Sequence, residues 1–87
     1  MENYLLLFKS LTGAQRAEKI LKFNGITARI SRVPGDIPTN GCTYCIKIEE
    51  NQLRPSLIAL KNTDNSPTRV FAWFGNGRFA RLNDGLS

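Results

Sequence analysis

Apolar and polar positions along this chain follow two periods, and the places where one gives way to the other mark its elements. Tyr4-Leu5-Leu6-Leu7-Phe8 is an unbroken apolar run of strand length, as expected of a strand buried on both faces. Beyond Lys9-Ser10-Leu11 the period lengthens, with Ala14, Ala17, Ile20 and Leu21 at helical spacing. Thr12 and Gln15 have the offset of a capping box, and Asn24-Gly25 is a stop signal, so a helix is predicted over residues 13–24. Alternation then returns over residues 26–33, with Ala28 and Ile30 against Arg29 and Ser31, and ends at Pro34-Gly35. Two prolines, two glycines, Asp36 and Asn40 make residues 34–41 a loop unsuited to a ladder. Residues 43–49 alternate again, Tyr44, Ile46 and Ile48 on one face and Cys45 and Lys47 on the other. Leu53, Leu57 and Leu60, with Pro55 in the first turn, predict a short second helix, and residues 62–67 are turn-rich. Arg69 to Phe74 reads as a fourth strand, Gly75-Asn76-Gly77 as a turn, and residues 78–82 as a returning hairpin arm.

The order β-α-β-β-α-β predicts an α+β, ferredoxin-like fold spanning residues 1–87 as a single domain. Two helices would cover one face of an antiparallel sheet, with an extra C-terminal hairpin strand. The other face is expected to lie open. Because Phe71 and Trp73 alternate with Val70, Ala72 and Phe74, the fourth strand is apolar on both sides and that face calls for a cover. A homodimer, the C-terminal hairpin or a docked partner protein would each supply it.

Size and charge narrow the classes. A domain of 87 residues buries only about 60–65% of its unfolded surface, so any site is shallow. The longest apolar runs, Tyr4 to Phe8 and Val70 to Phe74, fall far short of the ~20 residues of a membrane helix. No membrane association is expected. Glu2 and the brevity of the first run also speak against a signal peptide, which places the chain in the cytoplasm. Twelve basic against seven acidic residues leave a net charge of +5, and Arg69, Arg78 and Arg81 interleave with Phe71, Trp73 and Phe79. Such a mixture suits single-stranded nucleic acid, whereas a moderate excess of this size also serves as a solubilising surface. The third strand lacks the Gly-aromatic signature of an RNA-recognition sheet, which puts nucleic acid behind other partners.

The remaining chemistry lies in Gly41-Cys42-Thr43-Tyr44-Cys45, the two cysteines of a chain without histidine. Cysteines so close together close a negligible loop and staple nothing. A thioredoxin-type pair opens a helix, but Ile46-Lys47-Ile48 is a strand pattern. Three extended residues span about 10 Å, beyond the ~7 Å that a disulfide tolerates, so pairing needs a tight turn between Gly41 and Tyr44. Gly41 permits one. Cys42, ahead of the strand, is expected to be the more exposed thiol. Cys45 is either a small hydrophobe in the sheet or a thiol tuned by Lys47. Two candidate ligands are too few for a structural zinc site, and neither metal nor cofactor is expected. Without histidine a Cys-His nucleophile is excluded, and Gly75-Asn76-Gly77 lacks the Walker lysine, so the residues suit a carrier better than an enzyme.

The apolar first strand ending in Phe8, Ala17-Glu18, Gly25-Ile26, and Pro34 with Pro38 leading into Cys42 resemble a small bacterial family of unknown function described as selenium/sulfur carrier-like proteins. The likeness spans roughly residues 4–48. It implies that Cys42 carries sulfur or selenium as a persulfide-type adduct, taken from a donor protein and passed to an acceptor. Family members usually have glycine after this cysteine, where this chain has Thr43, and Cys45 and the basic C-terminus are further departures. Cys45 could resolve such an adduct to a disulfide and release the cargo.

Overall fold

The apolar run at the start of the chain becomes the central strand of a sheet. In the computed structural model, residues 3–35, 41–75 and 78–81 are described. The elements are β1 (Asn3–Phe8), α1 (Leu11–Phe23), β2 (Arg29–Arg32), β3 (Tyr44–Glu49), α2 (Leu53–Asn62), β4 (Arg69–Gly75) and β5 (Arg78–Arg81), with a 3₁₀ turn over Glu50–Gln52 leading into α2. The strands lie in the order β2-β3-β1-β4-β5, with every neighbouring pair antiparallel. β1 is thus hydrogen-bonded on both edges, and Leu5, Leu6 and Leu7 are all at most 1% exposed, which explains a run without alternation. The first four strands take the ferredoxin-like order, and β5 extends the sheet beyond β4. The hairpin arm therefore adds an edge strand and does not fold across the face. Asp36, Pro38 and Asn40 of the predicted loop, Asn76 and Gly77 of the predicted turn, and Leu82 of the arm lie outside the described residues.

Helix α1 starts earlier than the capping box predicts. Ser10, not Thr12, is the cap: its backbone is extended (φ −127°, ψ 153°) and its Oγ accepts the Gly13 N–H at 3.0 Å. The stop at Asn24-Gly25 holds, through a Schellman closure in which Gly25 N–H donates to Lys22 C=O and Ile26 N–H to Leu21 C=O. Gly25 takes φ +76° there. That closure also explains why β2 opens at Arg29 and not at Ile26: Ile26 spends its N–H on the helix and its side chain on the core. Ala14, Ala17 and Leu21 of α1 meet Leu53 and Leu60 of α2 over Leu6, Phe8, Ile46 and Ile48, forming the helix-side core. Ser56, fully buried in α2, is satisfied by donating its hydroxyl to Gln52 C=O at 2.6 Å.

Candidate functional site

Strand register assigns the chemistry to the sheet face away from the helices. Leu7 pairs with Cys45 and with Arg69, Leu5 with Lys47 and with Phe71, Ser31 with Cys45, Arg29 with Lys47, and Phe79 with Trp73. Residues directly opposite one another share a face, so these side chains form one surface. Its centre is not open. Leu5, Leu7, Cys42, Cys45 and Phe71 are at most 2% exposed and make a second apolar cluster, with half-buried Val33, Trp73 and Phe79 packed against it. The expected open face is corrected on this point, for two physical reasons. β5 widens the sheet and brings Phe79 edge-on to Phe71, with centroids 5.7 Å apart and ring planes at 70°. The connection from β2 to β3 returns Val33 and Cys42 onto the same cluster.

Cys42 is the second correction. Lying just ahead of β3, it was expected to be the exposed thiol, yet it is 2% exposed. The cause is local. Gly41 takes φ +94°, a left-handed conformation in which glycine is at ease, and turns the chain before Cys42 enters. Thr43 N–H then donates to Phe8 C=O at 3.3 Å, although Phe8 is already the register partner of Tyr44. Thr43 lies ahead of β3 and outside its register with β1, so the alternation of the strand does not extend back to Cys42. Strict alternation would put Cys42 and Cys45 on opposite faces. Cys42 instead packs in the cluster that holds Cys45.

Both thiols are free. Cys45 is completely buried in β3. Its Sγ lies 3.5 Å from Ser31 Oγ and donates to the Arg32 carbonyl at 3.8 Å. Burial pushes the Cys45 thiol up from its ordinary value, while the Ser31 hydroxyl and then the Lys47 ammonium pull it partly back. Ser31 was not among the residues singled out from sequence. Alternation in β2 placed it on a face, but only the β2–β3 register shows that this face carries the thiol.

The remaining candidates are distributed as follows. Lys47 is exposed, and its Nζ lies 4.4 Å from the centre of the Trp73 ring, a cation–π pair. Phe71 is 2% exposed, so it cannot stack on a base. Trp73 is half-buried with Lys47 over its ring. Arg69 is half-buried opposite Leu7, and Arg78 is exposed at an irregularity of register between β4 and β5. The backbone of Arg81 pairs opposite Phe71. Arg69 thus shares the face of the thiols, and Lys47 lies on it over the Trp73 ring. Of the three rings named from sequence, Phe71 is buried, whereas Trp73 and Phe79 are half-buried.

Shallow depressions elsewhere are lined by Glu18, Lys22 and residues 25–29, and by Thr12, Gln15, Arg16, Glu18 and Lys19; neither lining includes a thiol. Among the described residues no three His, Cys, Asp or Glu side chains gather as a metal-binding group, and no helix is long and apolar enough to cross a membrane.

Comparison with known proteins identifies the family of this chain. Residues 3–70 match the family described as "Putative Se/S carrier protein-like", and the chain belongs to that family. The match takes in β1 to the start of β4 and both cysteines, and stops short of β5. Neither the curated proteins nor the solved structures contain a significant match.

Proposed function

We propose that this member of the selenium/sulfur carrier-like family is a cytoplasmic, non-enzymatic carrier that holds one sulfur or selenium atom on Cys42, between a donor and an acceptor protein. The observation that carries the reading is the setting of Cys42. It stands at the end of the β2–β3 connection, inside an apolar cluster, in the part of the chain that the family shares. The transfer needs no external oxidant. The Cys42 thiolate attacks the outer sulfur of a donor persulfide, a new S–S bond forms, and the electron pair of the broken bond leaves on the donor's cysteine. Selenium would move in the same way, as the outer atom of a perselenide.

Burial suits such a cargo. A terminal persulfide in solution is stripped by any passing thiol, and the cluster around Cys42 excludes that competitor. The same burial means that loading requires the Gly41–Thr43 segment to lift, which breaks the Thr43 bond to Phe8 and the bond from Val33 N–H to Thr43 C=O. Cys45 is the poorer acceptor, because it sits deeper and burial disfavours its thiolate.

Incubation with a cysteine desulfurase and cysteine, followed by intact-mass measurement, tests the reading. Wild-type protein weighed during loading, and Cys45→Ser, are expected to gain one sulfur atom and Cys42→Ser none. A wild-type protein that takes up no sulfur would rule the carrier out.

A further inference from the structure

Cys45 takes no part in loading, yet the fold turns it to the same side as Cys42. Three extended residues would hold two Cα atoms about 10 Å apart with side chains on opposite faces. Cys42 precedes β3 behind the turn at Gly41, so that spacing does not hold for it, and it packs in the same cluster as Cys45. Both belong to one cluster with Leu5, Leu7 and Phe71, so little but apolar surface surrounds them. Cys45 is approached by the Ser31 hydroxyl at 3.5 Å, the Arg32 carbonyl at 3.8 Å and the Lys47 ammonium. Burial holds this thiol above its ordinary range, and the Ser31 hydroxyl and then the Lys47 ammonium only partly offset it.

Resting on the carrier reading above, we infer that Cys45 is an internal resolving thiol that discharges the cargo as free sulfide or selenide. Cys45 Sγ attacks the inner sulfur of the Cys42 persulfide. The bond between that sulfur and the cargo breaks, and a Cys42–Cys45 disulfide forms. The electron pair leaves with the cargo, which is reduced to sulfide while the two cysteine sulfurs are oxidised to the disulfide. The proton of Cys45 departs with it, and atoms and electrons balance without an added oxidant. A dithiol reductant of the thioredoxin class then restores both thiols. The two thiols share one cluster without being joined, so movements of the Gly41–Thr43 segment decide between storage and release. The family match covers the strand on which Cys45 lies, but the family description assigns no role to a second thiol.

The experiment separates this step from the reading beneath it. Wild type, Cys45→Ser and Cys45→Ala are loaded with a desulfurase and cysteine, freed of donor and low-molecular-weight thiol, and incubated anaerobically. The alanine variant guards against a serine hydroxyl disturbing the apolar cluster, and Trp73 fluorescence checks that each variant is folded. Wild type is expected to release one sulfide per loaded chain and to end two hydrogens lighter than the reduced protein, with a peptide map joining Cys42 to Cys45. Both variants are expected to keep the persulfide and to release sulfide at least about tenfold more slowly. If all three load and then release at the same rate, or if wild type keeps its persulfide without closing the disulfide, the resolving role is overturned while the carrier stands. If none of the three loads, carrier and release step fall together. As a second measurement, unloaded wild type is treated with glutathione disulfide. Closure to the internal disulfide supports the pairing, and glutathione left on Cys42 alone counts against it.

Discussion

The two faces of this sheet are buried by different means, and the reactive groups follow the difference. On one face, two helices lay Ala14, Ala17, Leu21, Leu53 and Leu60 over the strands, and every buried side chain of that cluster is hydrocarbon. On the other, among the described residues, no helix packs: Phe79 of the edge strand β5 and Val33 and Cys42 of the β2–β3 connection close the cluster, which holds both thiols. A helix docked along its length can be lifted only by undoing much of the core. A connection segment held by a few hydrogen bonds can open locally, at a fraction of the global stability. A thiol that must be both sheltered and reachable belongs under the second kind of cover.

The largest expected effect would break this comparison outright. Leu21→Ala on the helix side is expected to cost about 2–5 kcal/mol, and Phe71→Ala on the thiol side about 3–5 kcal/mol, each seen as a lower urea midpoint. If Phe71→Ala costs less than about 1 kcal/mol, the thiol side is a surface and not a second core.

A smaller effect sharpens the same contrast through pH. The Cys45 thiol is raised by burial above its ordinary value of 9.0, so the folded state keeps its proton where the unfolded state loses it. Stability on this account is whole below the ordinary thiol range and falls as pH rises from there toward the raised folded value. Denaturation of wild type and Cys45→Ala across that range is expected to show the fall in wild type and its absence in the variant. Parallel curves would place Cys45 in contact with water.

The smallest effect concerns the rim. Lys47→Ala removes the cation from the Trp73 ring and is expected to cost about 0.5–1 kcal/mol. It should also shift the emission of the chain's single tryptophan. An unchanged spectrum would show that the pair does not hold in solution.

Much of the architecture was legible from local pattern. The apolar run of β1, the Asn24-Gly25 stop, the alternation of β3 and the hairpin arm all emerge where their residues predict, because each depends on neighbours a few positions away. The helix start was misplaced by two residues because Ser10 and Thr12 are both competent caps, and the backbone entering from β1 selects Ser10. The thiol site was legible only in part. Cys45 and Lys47 were assigned to the correct face by alternation, whereas Ser31 as a neighbour of Cys45, Phe71 as a core ring and Trp73 beneath Lys47 follow from pairings between strands remote in the chain.

The sequence by itself determined the order of elements, the apolar faces and the presence of two thiols on either side of Thr43-Tyr44. Which side of the sheet Cys42 occupies was decided by tertiary structure. Thr43 adds its N–H to a Phe8 carbonyl already opposite Tyr44, and Gly41 reverses the chain just before. Side-chain alternation is a rule about a single regular strand, and it does not reach back past Tyr44, where β3 begins. The turn ahead of that strand places the two cysteines of this carrier-family protein in one buried cluster.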